Sequence, residues 1–406
     1  MIVPTRRRIK HTVTQIAEAV VRNGDSATAG LLSGKTGQVL LYGHLYLCFG
    51  EESHFEQFVT RLDECIEWVA DHPTDATLSR GFTGLMWVIG HFIRVGLLEK
   101  EADQSIAGLH EHLVASFEGD CTNRDYDLLH GLVGKGMYFL ECPPEGGNTA
   151  VLERIVDQLE SFAVAGENTV SWTNPLRAPA ERDGAYNLGM AHGVPGIIGF
   201  LAKVHRRGVA PDQTKALLEK SVPWLLGQEK PVGLSRFPNS TAKRHQSRLA
   251  WCYGDLGPAL ALFHAAHALN RDDWRSQAID LARHAGRRTA ENAGLHRHET
   301  QGWLDTGFCH GTAGIAHAFN RFYQATRQRE FKQWARYWLA LTAPPLPTDQ
   351  GIAGYVHPHF EAERNLHWRE NATLLEGVTG VGLVLLSFLQ PRQPAWDGIF
   401  MTDIHY

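Results

Sequence analysis

Cysteines and histidines become informative when they share a register. The chain carries "WCYG" at 251–254 and "FCHG" at 308–311, so Cys252 and Cys309 each sit two residues before a glycine, and His310 follows Cys309 directly. Two thiolates and one imidazole suit Zn²⁺, and three protein ligands leave a fourth position open for a reactant. Buried inert cysteines, a Cys–His nucleophilic dyad and a disulfide are the competing readings of these residues. The shared register favours the metal. The other cysteines, at 48, 65, 121 and 142, lack that register. Cys48 and Cys65 fall on apolar, helix-like faces and read as core.

The register belongs to a repeat. A GxxG step occurs seven times, with first glycines Gly34, Gly81, Gly131, Gly193, Gly254, Gly311 and Gly377, 47 to 66 residues apart. One such step is common by chance; seven at a near-regular period mark a repeat architecture. The residue before each first glycine is Ser33, Arg80, His130, His192, Tyr253, His310 or Glu376. Every one is polar or amphipathic. Helix capping explains the serine but not histidine, arginine, tyrosine or glutamate. A polar cavity onto which all seven open explains the whole column.

These positions need elements to hold them. Each step leads into an apolar run, such as "ALALFHAAHAL" at 259–269 or "VGLVLLSFL" at 381–389. Between the steps lie amphipathic stretches with apolar spacing near 3.6, such as "FEQFVTRLDECIEWVAD" at 55–71. Strand-like alternation is scarce. The expectation is an all-α protein: an α/α toroid of seven helical hairpin repeats, with inner apolar helices ringed by outer amphipathic ones. Glycines at i and i+3 would let neighbouring helix starts approach closely at one end of the barrel.

The bulk properties agree. A chain of 406 residues with 43% hydrophobic and 20% charged residues is expected to build a large core. Residues 1–406 read as a single toroid domain. A formal net charge of −5 offers no basic field for nucleic acid. Scattered cysteines suit a reducing compartment, and the charged start is not followed by an apolar run, so no signal peptide is expected. No apolar stretch is long enough for a transmembrane segment. The basic run "TRRRIK" at 5–10 is expected as part of a solvated N-terminal arm over residues 1–12. The Pro-rich stretch at about 341–371 is expected as an insertion.

With "YDLLHGLVG" (126–134), "NLGMAHGVPG" (187–196), "RLAWCYGDLG" (248–257) and "FCHGTAG" (308–314), the chain resembles the lanthionine synthetase C-like family over essentially its whole length. It is most similar to the stand-alone cyclases of class I lanthipeptide biosynthesis. The resemblance implies an α/α toroid with Zn²⁺ held by Cys252, Cys309 and His310. It implies that His192 is the acid/base histidine and that Asp127, Arg248 and Tyr253 are further active-site residues. The implied substrate is a dehydrated precursor peptide. A lanthipeptide dehydratase and a transporter are implied partners. The implied location is cytoplasmic, with a peripheral position at the inner membrane face in a biosynthetic complex.

The implied reaction is conjugate addition of a cysteine thiolate to dehydroalanine or dehydrobutyrine. A free thiol, with a pKa of about 8.5, is mostly protonated at neutral pH and needs a metal to deprotonate it. The resulting enolate needs a proton from a group that titrates near working pH, which suits His192. Arg248 can stabilise negative charge on the carbonyl oxygen or form a structural salt bridge. Asp127 can orient a histidine, pair with Arg248 or cap a helix start. Tyr253 can donate a hydrogen bond or line the site. His130, Arg80 and Glu376 are expected as lining. Two other functions stay open: addition of glutathione to dehydrated residues, and a glycoside hydrolase or lyase using Asp125 and Asp127.

Overall fold

A computed structural model describes residues 4–24, 28–143, 147–173, 185–242, 246–344, 346–347, 349–360, 365–390 and 393–405. Helix α1 (Arg6–Asn23) opens it. Then come α2 (Thr36–Phe49) with α3 (Glu52–Asp71), and α4 (Phe82–Arg94), which packs on a 3-10 turn (Lys100–Ile106) leading into α5 (Ala107–Ala115) and α6 (Phe117–Asn123). Next are α7 (Leu132–Glu141) with α8 (Asn148–Phe162), and α9 (Val194–Arg206) with α10 (Pro211–Leu226). The series ends with α11 (Leu256–Leu269) and α12 (Asp272–Ala285), α13 (Thr312–Thr326) and α14 (Arg329–Leu341), and finally α15 (Val378–Leu389).

Burial separates two layers. In α11 every residue from Leu256 to Ala266 is buried, as an inner helix requires. In α14 the buried residues are Phe331, Ala335, Trp338 and Leu339, one stripe at helical spacing. The seven helices that follow the GxxG steps form the inner layer.

The backbone closes this layer into a ring. The turns before consecutive inner helices are tied by hydrogen bonds from Leu32 N to Ser79 O, Ser79 N to Leu129 O, Leu128 N to Ala191 O and Met190 N to Cys252 O. The series continues from Cys252 N to Cys309 O and Cys309 N to Leu375 O, and returns from Leu375 N to Leu32 O at 3.0 Å. The second glycine of each step makes the approach possible. A Cβ on Gly84 would lie 2.5 Å from Leu31 Cβ in the preceding repeat, and one on Gly37 would lie 2.7 Å from Leu374 Cβ across the closure.

The N-terminal segment departs from expectation. Residues 6–12 are no solvated arm: they begin α1, capped by the Thr5 hydroxyl, which accepts from Arg8 N at 3.3 Å. α1 packs on α15 as the outer helix of the seventh hairpin. The arginines drew the eye, but Ile9, Val13, Ile16, Ala17 and Val20 form a buried stripe, while Arg6, Arg7, Arg8 and Lys10 stay exposed on the outer face. Residues 1–3 lie outside the described residues.

Strands are few. β1 (Val164–Ala165) pairs with β2 (Val170–Ser171). In the 341–371 stretch, β3 (His357–Phe360) pairs antiparallel with β4 (Leu366–Arg369), with Phe360 opposite Leu366. Residues 345, 348 and 361–364 of that stretch lie outside the described residues. The C-terminal segment, with a 3-10 turn at Trp396–Phe400, is buried against inner helices. Trp251 Nε1 donates to Phe400 O at 2.8 Å, and His264 in α11 donates to Met401 O at 3.0 Å. Arg321 in α13 donates to Thr402 O at 3.2 Å.

Candidate active site

The turns before the inner helices share a side-chain device. Six residues before the first glycine, five repeats place Asp75, Asp125, Asn187, Asp305 or Asn371. In each, the side-chain oxygen accepts from the backbone N–H two residues on, at 2.8 to 3.0 Å. This Asx turn fixes the loop and aims the residue before the glycine at the rim. The two exceptions are Thr28 and Arg248.

The rim column behaves as its polarity demands. Ser33, Arg80 and Glu376 are exposed, and His130, His192, Tyr253 and His310 are half-buried. The residues one place earlier, Leu32, Ser79, Leu129, Ala191, Cys252 and Cys309, are buried. The turn therefore offers one open position and one shielded position per repeat. In the fifth and sixth repeats the shielded position is cysteine.

Cys252, Cys309 and His310 come together. One donor atom from each lies within 4.8 Å of the others. A tetrahedral zinc holds such donors roughly 3.5–3.8 Å apart, so small side-chain adjustments bring all three onto one ion. Both cysteines are free thiols, which removes the disulfide reading. Hydrogen bonding from the Cys309 thiol holds Cys252 well below the ordinary thiol range, with His310 assisting and burial opposing. The same bond, together with burial, pushes Cys309 up. Burial pulls His310 down, but Asp305 and the Cys252 thiolate outweigh it and raise the imidazole to about 9. Negative charge already gathers where a cation would sit.

Asp305 is the support behind His310. Its Oδ1 accepts from Gly307 N at 2.8 Å, and its Oδ2 lies 3.3 Å from His310 Nε2. A carboxylate on the far ring nitrogen is the usual way to orient a metal-ligating histidine.

The neighbouring repeats bring a histidine and an aspartate together. His192 Nδ1 lies 2.6 Å from Asp127 Oδ2. Asp127 is buried, and its Oδ1 accepts from Leu129 N at 2.7 Å and His130 N at 3.2 Å. Asp127 thus caps the turn and contacts His192, and among the described residues it makes no ion pair with Arg248. His192 keeps its side chain 27% exposed, and its ring stacks on His130 with centroids 6.2 Å apart. The bond to Asp127 turns Nε2 away from the carboxylate.

Arg248 and Tyr253 border the cysteines. Arg248 Nη1 lies 3.2 Å from His296 Nε2. Tyr253 OH accepts from Asn187 Nδ2 at 3.1 Å. Burial, Arg248 and His310 together hold His296 down at about 4. Its ring lies edge-on to His310, centroids 5.6 Å apart, and 5.0 Å from Phe360 of β3. Trp368 of β4 approaches His298 at 5.9 Å. The 341–371 stretch thus places a hairpin against the loop beside the cysteines.

Asp305, Asn187 and His296 are absent from the sequence expectation. For Asp305 and Asn187 a signal existed, the Asx column six residues before the glycine. His296 lies in an irregular loop outside the repeat register, and no spacing points to it.

Comparison with known proteins places these features in a family. A model of the family described as lanthionine synthetase C-like protein matches residues 25–401. The nisin biosynthesis protein NisC of Lactococcus lactis subsp. lactis is 22% identical over 363 residues, covering 81% of this chain and 82% of that protein. The glutathione S-transferase LANCL1 of Danio rerio is 22% identical over 367 residues, covering 84% of each. The solved nisin cyclase superposes with a TM-score of 0.73 at 17% identity, covering 98% of this chain and 97% of that one.

Proposed function

The chain belongs to the lanthionine synthetase C-like family, and from that premise we propose that it is a zinc-dependent lanthipeptide cyclase. It would form (methyl)lanthionine thioethers by adding a cysteine of a dehydrated precursor peptide to dehydroalanine or dehydrobutyrine. The observation that carries this reading is the Cys252, Cys309 and His310 cluster set on the same ring as the His192–Asp127 pair. The site is read as part of one cyclase domain, because the seven turns close on themselves.

Cys252, Cys309 and His310 would hold the ion, which when bound supplies a fourth coordination position at which a substrate thiol loses its proton. Asp305 keeps the His310 ring in its ligating orientation. After attack on the β-carbon, the α-carbon takes a proton from His192, and the thiol proton has then been replaced in full. Asp127 holds His192 through Nδ1 and stabilises its protonated form, as carboxylates do for acid–base histidines. Arg248 is permanently cationic and meets the charge that develops on the carbonyl oxygen. Tyr253, held by Asn187, borders the same space.

The glutathione S-transferase of Danio rerio supports a second thiol donor for the same chemistry. Glutathione would then supply the thiol. A glycosidase reading is weaker, because Asp125 and Asp127 are both engaged in building turns and Asp127 also binds His192. Among the described residues no helix is long and apolar enough to cross a membrane. Contact with a dehydratase and a transporter in the cytoplasm is part of the proposal.

The test supplies purified protein with a dehydrated precursor and counts free thiols by alkylation, with and without glutathione. Loss of precursor thiols should accelerate with the wild type. Cys309→Ala should lose both bound zinc and acceleration. Thiol loss at the same rate without protein would end the cyclase reading. Glutathione adducts formed in preference to rings would select the second thiol donor.

A further inference from the structure

Arg248 stands where five other repeats place an Asx turn. Among the described residues no carboxylate lies within ion-pair distance of it. Its guanidinium instead meets His296 Nε2 at 3.2 Å. Arginine has donors and no acceptor, so this bond requires an unprotonated Nε2 on His296.

The loop carrying His296 is tied down on several sides. Arg288 is buried and donates from Nη1 to Ser247 O at 2.8 Å and from Nη2 to Asn292 O at 2.6 Å. Leu249 N donates to Ala293 O at 2.7 Å. Gly294, at φ +71°, lets the loop lie against Arg248, whose Cβ would be 3.3 Å from any added Cβ. Asp305 N donates to His296 O at 3.0 Å, linking His296 to the residue that orients His310. Phe360 meets the ring edge-on, centroids 5.0 Å apart, and is itself 49% exposed.

A carboxylate could position Arg248 equally well, but it would cancel the charge that the developing oxyanion needs. A neutral imidazole fixes the guanidinium and leaves its charge intact. We propose that His296 is a positioning residue that aims Arg248 by accepting from it without neutralising it, with Phe360 of the β-hairpin holding the ring in place. This rests on the cyclase reading, in which Arg248 faces the developing charge.

The test compares His296→Ala, His296→Gln and His296→Asp in the full chain, each checked for wild-type zinc content. His296→Ala should lower kcat roughly ten- to a hundredfold with little change in KM, since a misplaced group costs on that scale. His296→Gln supplies a neutral acceptor and should restore most of kcat. His296→Asp supplies an acceptor that neutralises Arg248 and should stay slow. In ¹⁵N-labelled wild type, His296 Nε2 should read as an unprotonated acceptor at neutral pH. Phe360→Ala should give a smaller loss in kcat. A slow Gln variant would overturn the proposal in favour of proton transfer by His296 itself, and a fast Asp or Ala variant would also overturn it. An inactive wild type would instead count against the cyclase reading, leaving the ¹⁵N readout to judge the Arg248–His296 bond alone.

Discussion

Two of the molecule's histidine–aspartate contacts sit in opposite settings. On the rim, His192 Nδ1 lies 2.6 Å from Asp127 Oδ2, with the imidazole open to solvent. In the interior, His317 Nε2 lies 3.0 Å from Asp397 Oδ2, and neither side chain is exposed. Arg321 also meets Asp397 Oδ2 at 3.0 Å, and the Thr402 hydroxyl donates to the same oxygen at 3.0 Å. The rim pair joins the turns before α7 and α9; the interior pair joins the middle of α13 to the C-terminal segment. Under the proposed function, identical side chains serve chemistry where water and substrate can reach them, and architecture where they cannot.

The sharpest way to break that comparison is to delete one member of each pair. His192→Ala should cost about 10²- to 10⁴-fold in turnover, the usual share of a general acid, while leaving the thermal midpoint in place. Asp397→Ala should do the reverse. Removing one partner of a buried ionic network costs about 3–5 kcal/mol, because Arg321 would be left without its counter-charge and His317 without its hydrogen-bond acceptor. Urea unfolding should show that loss, and protein that remains folded should keep its zinc and turnover. If His192→Ala unfolds the protein as severely as Asp397→Ala, the division between rim and interior is wrong.

Asp305 belongs to both categories and sharpens the line between them. It builds an Asx turn like its four counterparts, and only here does the second oxygen reach a candidate metal ligand. Asp305→Asn keeps the turn acceptor and removes the charge. Zinc affinity should fall about 10- to 100-fold, as for other carboxylates behind ligating histidines. The matching change Asp75→Asn, at the same register in a repeat without metal ligands, should leave zinc affinity unchanged. Competition with a chelator measures both. An equal loss in the two variants would mean that Asp305 acts through the fold alone.

Much of this was legible because the repeat imposes a common frame. The GxxG period located every inner helix, and the residue before each glycine located the rim. Cys252 and Cys309 could be paired across 57 residues for that reason alone. What the frame omits was harder to see. The N-terminal helix carries no glycine step, so its charges outweighed its apolar stripe. His296 and the β-hairpin lie in connections between repeats, where position depends on what packs nearby. The C-terminal segment shows no periodicity, and its hydrogen bonds to inner helices depend on closure of the whole ring.

The interior also predicts how stability responds to acid. Burial holds His264 at about 3, with Asp403 opposing, and its Nε2–H donates to Met401 O. His317 and His44 are lowered as well, both chiefly by burial. In the unfolded chain these histidines return to about 6.5. Below that pH the unfolded state therefore binds more protons than the folded state. The stabilisation is complete above about pH 6.5 and declines as pH falls toward the folded value. Each such histidine adds about 1.4 kcal/mol per pH unit to the slope. His264→Gln keeps a donor for Met401 O and removes one titration. Between about pH 6 and 4 its unfolding free energy should fall less steeply than the wild type's by about that amount. The matching change on the rim, His192→Gln, is the control. Urea titrations across the pH range measure both slopes. Equal flattening by the two variants would show that the histidine on the rim is as closed to protons as the interior one.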